Sequence, residues 1–121
     1  MSETVERKKS PNLDLRGKVG MYVIGEFIAR YESKQFPGKY SSLIKVEDTD
    51  GDTTLYNAEQ KENVSVDIDA GDSVFLSETT FLATFLSKRA SKERIKITYT
   101  GKGTAKKGKK APFMYQMEVL S

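Results

Sequence analysis

From Ile95 to Thr100 the chain alternates strictly, with Ile95, Ile97 and Tyr99 on one face and Lys96, Thr98 and Thr100 on the other. That period of two is the pattern of a half-buried strand. A loop of glycines and lysines follows, Gly101-Lys102-Gly103-Thr104-Ala105-Lys106-Lys107-Gly108-Lys109-Lys110, and then a second apolar run from Phe113 to Leu120. Together they predict a long β-hairpin with a cationic tip that glycine leaves free to bend. A tip of this kind can close over a polyanion, so nucleic acid is the first ligand class to consider.

With 121 residues the chain is long enough for one domain around a single modest core. It has no cysteine and no histidine, which excludes disulfides, thiolate zinc sites, cysteine nucleophiles and imidazole chemistry. An enzyme built from it would work with carboxylates, lysines and hydroxyls alone, and the expectation is a non-enzymatic protein without a cofactor. No run has the length of a membrane span or a signal peptide. The expected location is therefore intracellular, in the cytoplasm, with no membrane partner.

The formal charge of +3 conceals an asymmetry. Residues 47–78 hold ten acids and one base, Lys61, so the remainder carries 19 bases against 7 acids. Such a chain can present one strongly positive face despite its small total. Scattered lysines are ordinarily just solvated. Five lysines between Thr100 and Ala111, spaced by glycines, form a concentrated cluster instead.

Residues 1–15 are polar, include Arg7-Lys8-Lys9, and read as a mobile N-terminal tail ahead of a domain at 16–121. Val19 to Tyr31 is apolar on both faces around Gly25, as in a sharply coiled barrel strand. Residues 32–39 form a turn marked by Pro37-Gly38. Tyr40 to Glu47 is a second strand, and the acidic turn Asp48-Thr49-Asp50-Gly51-Asp52 leads into a third, Thr53 to Ala58. After a looser stretch, Ser73 to Ser77 reads as a short strand extending the third. Thr79 to Ala90 is predicted helical, with the stripe Phe81, Leu82, Phe85 and Leu86, a cap from Ser77 or Thr79, and Lys88-Arg89 at its end.

Three strands, a helix and two strands predict an all-β fold with one helix. The specific expectation is a five-stranded OB-fold barrel with the helix between strands three and four. In that architecture the ligand lies across strands two and three, between the loops 32–39 and 101–112. Both loops are basic, and the first carries Phe36. Lysines that track phosphates and aromatics that stack on bases are what single-stranded nucleic acid requires.

Short segments carry a resemblance. Gly25-Glu26-Phe27-Ile28-Ala29-Arg30-Tyr31-Glu32-Ser33-Lys34, Gly38-Lys39-Tyr40-Ser41-Ser42-Leu43-Ile44, Ile97-Thr98-Tyr99-Thr100-Gly101-Lys102-Gly103 and Ala105-Lys106-Lys107-Gly108-Lys109 resemble small OB-fold single-stranded DNA-binding proteins of bacteriophages. The resemblance spans roughly residues 17–120. It implies a viral protein that coats single strands during DNA replication or recombination in a bacterial host cell, with replication or recombination proteins as further partners. The acidic tail through which related bacterial proteins recruit enzymes has no counterpart in Met117-Glu118-Val119-Leu120-Ser121.

The candidate nucleic-acid-binding residues are Arg30, Tyr31, Lys34, Phe36, Lys39, Tyr40, Lys45, Tyr56, Lys102, Lys106, Lys107 and Lys109. Arg30 and Lys45 lie opposite the most apolar phase of their strands. Phe36 either stacks on bases or packs back on the barrel, and at least one of Tyr31, Tyr40 and Tyr56 belongs to the core. Tyr99 and Tyr115 share the phase of Ile95, Ile97, Met117 and Val119 and are expected in the core. Asp48, Asp50 and Asp52 invite a calcium reading and Glu59 stands at the twelfth position of such a loop. An EF-hand requires glycine at the sixth, where Thr53 stands, and the flanks read as strands, so the stretch reads as an acidic turn. Two other functions stay open: a small β-barrel protein-interaction subunit that uses residues 47–78, and an RNA-binding module like cold-shock domains.

Overall fold

The structure is a computed structural model and describes residues 10–34, 36–105 and 107–120. Its strands are β1 (Asn12–Asp14), β2 (Tyr22–Glu32), β3 (Tyr40–Thr49), β4 (Asp52–Asn57), β5 (Glu62–Ser65), β6 (Ser73–Ser77), β7 (Arg94–Lys102) and β8 (Phe113–Val119), with one helix, α1 (Thr80–Leu86). All eight strands join one mixed sheet in the order β5-β4-β1-β6-β3-β2-β7-β8. This replaces the expected five-stranded barrel. Among the described residues no ladder joins the terminal strands β5 and β8, so the sheet stays open. The helix falls between the sixth and seventh strands, not between the third and fourth.

The differences have local causes. The segment read as a tail contributes β1, which pairs antiparallel with β4 and parallel with β6, because Leu13 and Leu15 are both buried. The short strand at Ser73–Ser77 does not prolong β4, since β1 lies between them and Phe75 stands opposite Asn12. The looser stretch supplies β5, a partner for β4 alone. The helix ends four residues early. Leu86 is the last residue of the apolar stripe to be buried, and Arg89 turns its Nε back to the Phe85 carbonyl at 3.1 Å. Thr79 occupies the N-cap position without a side-chain capping bond.

The core lies on one face of the sheet. Val23 and Phe27 of β2, Ile44 and Val46 of β3, Val74 and Leu76 of β6 and Ile95, Ile97 and Tyr99 of β7 are buried there, with Leu82 and Leu86 of α1 packed among them. Each helix leucine contributes about 2 kcal/mol through the apolar surface it removes from water. Tyr99 is buried as its phase predicts, and Tyr115 stacks beside it with ring centres 5.5 Å apart.

Two register shifts interrupt the pairing of β2 with β3, one at Ile24/Gly25 and one between Phe27 and Ala29. The second is decisive for the candidate site. Before it, Phe27 faces the core opposite Ile44; after it, Arg30 stands opposite Ser42, which in turn faces Leu76. One extra residue moves every later side chain to the other face. Gly25 is required at the first shift, since a methyl group there would run into the Lys45 carbonyl and stand 2.9 Å from Ile44 Cγ2.

Candidate nucleic-acid interface

Cross-strand partners share a face, so the register maps the solvent side of the sheet. One row crosses five strands through Ala29, Leu43, Phe75, Asn12 and Thr54. The row beside it holds Tyr31, Ser41 and Ser77, and the row on the other side holds Arg94, Glu26, Lys45 and Ser73. Tyr56 lies on this same face, two residues along β4 from Thr54. Tyr31 and Tyr56 are 50% and 59% exposed. Tyr31 meets Phe75 edge to face, with ring centres 6.0 Å apart. Of the expected residues, Tyr31, Lys45 and Tyr56 therefore share one face of the sheet, spread from β2 to β4, and Phe75 stands between them beside Tyr31.

Phe75 is absent from the sequence-based set although its signal is present. It stands between the buried Val74 and Leu76 in a strand that alternates strictly, so it must point to solvent. Further along this face, towards β7, charge replaces aromatic surface. Arg94 pairs with Glu47 at 2.8 Å, Lys96 stands over the Tyr22 ring at 5.7 Å, and the Tyr22 hydroxyl donates to Asp48 at 2.6 Å. The carboxylate beside it holds the Tyr22 phenol above its ordinary range.

The two basic loops do not form a single cluster. Tyr22 pairs with Thr98 and Glu26 with Arg94, so the β7–β8 hairpin runs past the N-terminal end of β2. The turn with Lys34, Phe36 and Lys39 follows the other end of that strand, whose 11 residues span roughly 35 Å when extended. In the turn, the Phe36 N–H donates to Ser33 Oγ at 3.1 Å and the Lys39 N–H to the Phe36 carbonyl at 3.0 Å. This leaves the Phe36 ring 60% exposed. Lys34, Lys39, Lys45, Lys102, Lys107 and Lys109 are exposed; Lys106 lies outside the described residues.

At the loop end of the hairpin, where Lys102 pairs with Phe113, the fold adds residues with no local sequence signal. Arg16 stacks over the Phe113 ring at 4.8 Å, and Lys102 approaches the same ring at 5.8 Å. Asp14 fixes Arg16 by accepting from its backbone N–H at 2.8 Å and its Nε at 3.0 Å. Burial alone would raise the Asp14 carboxyl, but the hydrogen bonds and charge of Arg16 outweigh it and hold the group below its ordinary range.

Neither a family model, nor a curated protein, nor a solved structure matches this chain. The residues and their geometry alone support a functional reading.

Arg30 and Tyr40 depart from their expected place. The register shift after Phe27 turns Arg30 to the core side, where its Nε and Nη2 donate to Glu78 at 2.7 to 2.9 Å. The Tyr40 ring covers the guanidinium at 4.0 Å, and Ser42 Oγ donates to Glu78 at 3.0 Å. The hydrogen bonds to Glu78 hold the arginine's pKa above its ordinary value. These two residues line a groove of about 390 Å³ beside α1, away from the aromatic face. Among the described residues no group of three or more carboxylates could hold a metal ion, and no helix is long and apolar enough to cross a membrane.

Proposed function

We propose that the protein binds single-stranded DNA without sequence preference and coats it during replication or recombination, as the phage proteins it resembles do, without catalysing a reaction. The observation that carries this reading is the solvent face of the sheet, where Tyr31 packs against Phe75 and Tyr56 and Lys45 stand on the same side. Every base has a flat π surface, so exposed aromatic rings accept any sequence, while lysines meet the phosphates. Basic loops at both ends of β2 suit a strand that crosses the sheet from one to the other. Duplex DNA keeps its bases stacked inside and offers this surface phosphates alone.

Fluorescence anisotropy with a labelled oligothymidylate tests the proposal across a salt series, with a duplex and an RNA oligonucleotide of equal length alongside. The expected result is tight, salt-sensitive binding to the single DNA strand and weak binding to duplex. Equal or tighter binding to duplex would overturn it, and a preference for RNA would move the assignment to an RNA-binding module. If nothing binds, the proposal falls.

A further inference from the structure

We infer that the groove between the start of β3 and α1 is a nucleotide subsite. It takes one nucleotide of a bound strand, with the base against the Arg30 guanidinium and the phosphate at Lys39. This rests on the single-strand reading above and adds a contact point away from the aromatic sheet face.

The groove is lined by Arg30, Lys39, Tyr40, Thr79, Thr80 and Thr84. Its volume of about 390 Å³ lies within the usual span of small-ligand sites, about 300–1,000 Å³. Arg30 is immobilised: Glu78 holds its edge and the Tyr40 ring covers the guanidinium. Glu78 is only 2% exposed, whereas Arg30 keeps 26% of its side chain open. An arginine held flat, with part of its surface open, offers a plane on which a base can stack.

The hydroxyls supply the second requirement. Thr79 Oγ1 is buried and, among the described residues, has no hydrogen-bond partner. Buried polar atoms are nearly always satisfied; this one is closed to solvent, so a ligand in the groove completes it only once the Thr79 side chain turns outward. Thr84 Oγ1 donates to the Thr80 carbonyl at 3.2 Å, which leaves its lone pairs free to accept from a base edge.

Charge argues against a simple anion site. Glu78 neutralises Arg30, so among the described residues Lys39 is the single uncompensated cation on the lining. A free phosphate would meet one mobile lysine. A nucleotide engages the stacked arginine and the hydroxyls as well.

Two-dimensional ¹H–¹⁵N NMR of the full chain tests this with thymidine 5′-monophosphate, thymidine and inorganic phosphate, on the wild type, Thr84→Trp and Lys39→Glu. The tryptophan sits on the exposed side of α1 and fills the groove; the dispersion of its spectrum reports whether the variant folds. The expected result is saturable shifts at Gly38, Lys39, Tyr40, Thr79 and Thr84 with the monophosphate, at least fivefold smaller with inorganic phosphate at equal concentration. Thr84→Trp should abolish them and Lys39→Glu should weaken binding at least fivefold. Shifts centred elsewhere, or the same shifts with phosphate alone, would overturn the subsite.

A parallel oligothymidylate titration separates the two levels of the argument. If the oligonucleotide binds wild type and Thr84→Trp equally and leaves the groove signals unmoved, the subsite falls and the single-strand reading stands. If the monophosphate fills the groove but the oligonucleotide does not bind, the subsite stands as a mononucleotide site and the single-strand reading falls. If neither binds, both fall.

Discussion

Arg30 and Glu78 are joined by three hydrogen bonds of 2.7 to 2.9 Å across the end of the sheet, with the carboxylate only 2% exposed. Removing one partner from a pair this enclosed strands the other charge, at a cost of about 3 kcal/mol. Glu78→Ala should therefore lower the thermal midpoint by about 10 °C. Arg30→Lys keeps the charge but loses the planar fork, so it should fall between Glu78→Ala and wild type. Thermal melts of the three proteins check this ordering.

On the aromatic face, Tyr56→Ala should leave stability within about 0.5 kcal/mol, because the ring is largely exposed. Tyr31→Ala forfeits the edge-to-face packing against Phe75, worth about 1 kcal/mol. Each should weaken binding to single-stranded DNA by about 1–3 kcal/mol, the contribution of one stacked base. Anisotropy paired with melting curves separates the two effects, and unchanged affinity in both variants would show that bases do not stack there.

The hairpin lysines act through charge. Reversing Lys102, Lys107 and Lys109 to glutamate should flatten the salt dependence of binding. The slope of log affinity against log salt should shrink by about 0.7 for each phosphate that is no longer neutralised. A slope unchanged from wild type would place the phosphates elsewhere.

Acid should act on the loop end of the hairpin through Asp14. Its carboxyl titrates below the ordinary range when folded, so the folded state holds this proton more weakly than the unfolded chain. The resulting stabilisation is present above pH of about 4 and disappears as pH falls through the lowered folded pKa. In Arg16→Gln the Asp14 midpoint, followed by carboxyl ¹³C NMR, should move upward. A midpoint unmoved by the substitution would mean that the salt bridge is not what lowers it.

Gly25→Ala should be severely destabilising although it adds a single methyl group. The new carbon would meet the Lys45 backbone and Ile44 Cγ2, and neither can yield without disturbing the β2–β3 ladder. A loss of about 3 kcal/mol or more is expected, readable as a shifted urea midpoint.

Where alternation ran long enough, the sequence disclosed the elements. β7 and β8 carry five or more residues of period-two pattern, β3 a shorter one from Ile44 to Glu47 and β2 a long run apolar on both faces, and Tyr99 could be assigned to the core from phase alone. β1 could not be read this way, because three residues with one inward leucine have no period. Its placement beside β6 depends on a parallel pairing between residues more than sixty positions apart. The closure expected of a barrel is a long-range property of the same kind, and no local pattern distinguishes an open edge from a paired one.

The candidate site divides along similar lines. Lys45 was legible because it is out of phase with Ile44 and Val46, and Phe75 could have been added on the same grounds. Strict alternation along β2, by contrast, puts Tyr31 in phase with Phe27, and only the extra residue brings it to the open face. Arg30 was misplaced because strict alternation was carried through a strand that contains an extra residue. The stacking of Arg16 on Phe113 joins the first strand to the last, and nothing in either segment announces the other.

The shift after Phe27 gives β2 a parity that the chain counts in single residues. Its first half is read in one frame and its second in the other, and this decides which of the neighbouring positions 30 and 31 serves which side: the arginine the groove and the tyrosine the open face. Pairing Ile28 into the ladder opposite Leu43, with no residue lost, would restore a single frame and exchange the two. The tyrosine would be driven against Glu78 and the charge set among aromatic rings. What that one residue encodes is a choice of sides for everything that follows it in the strand.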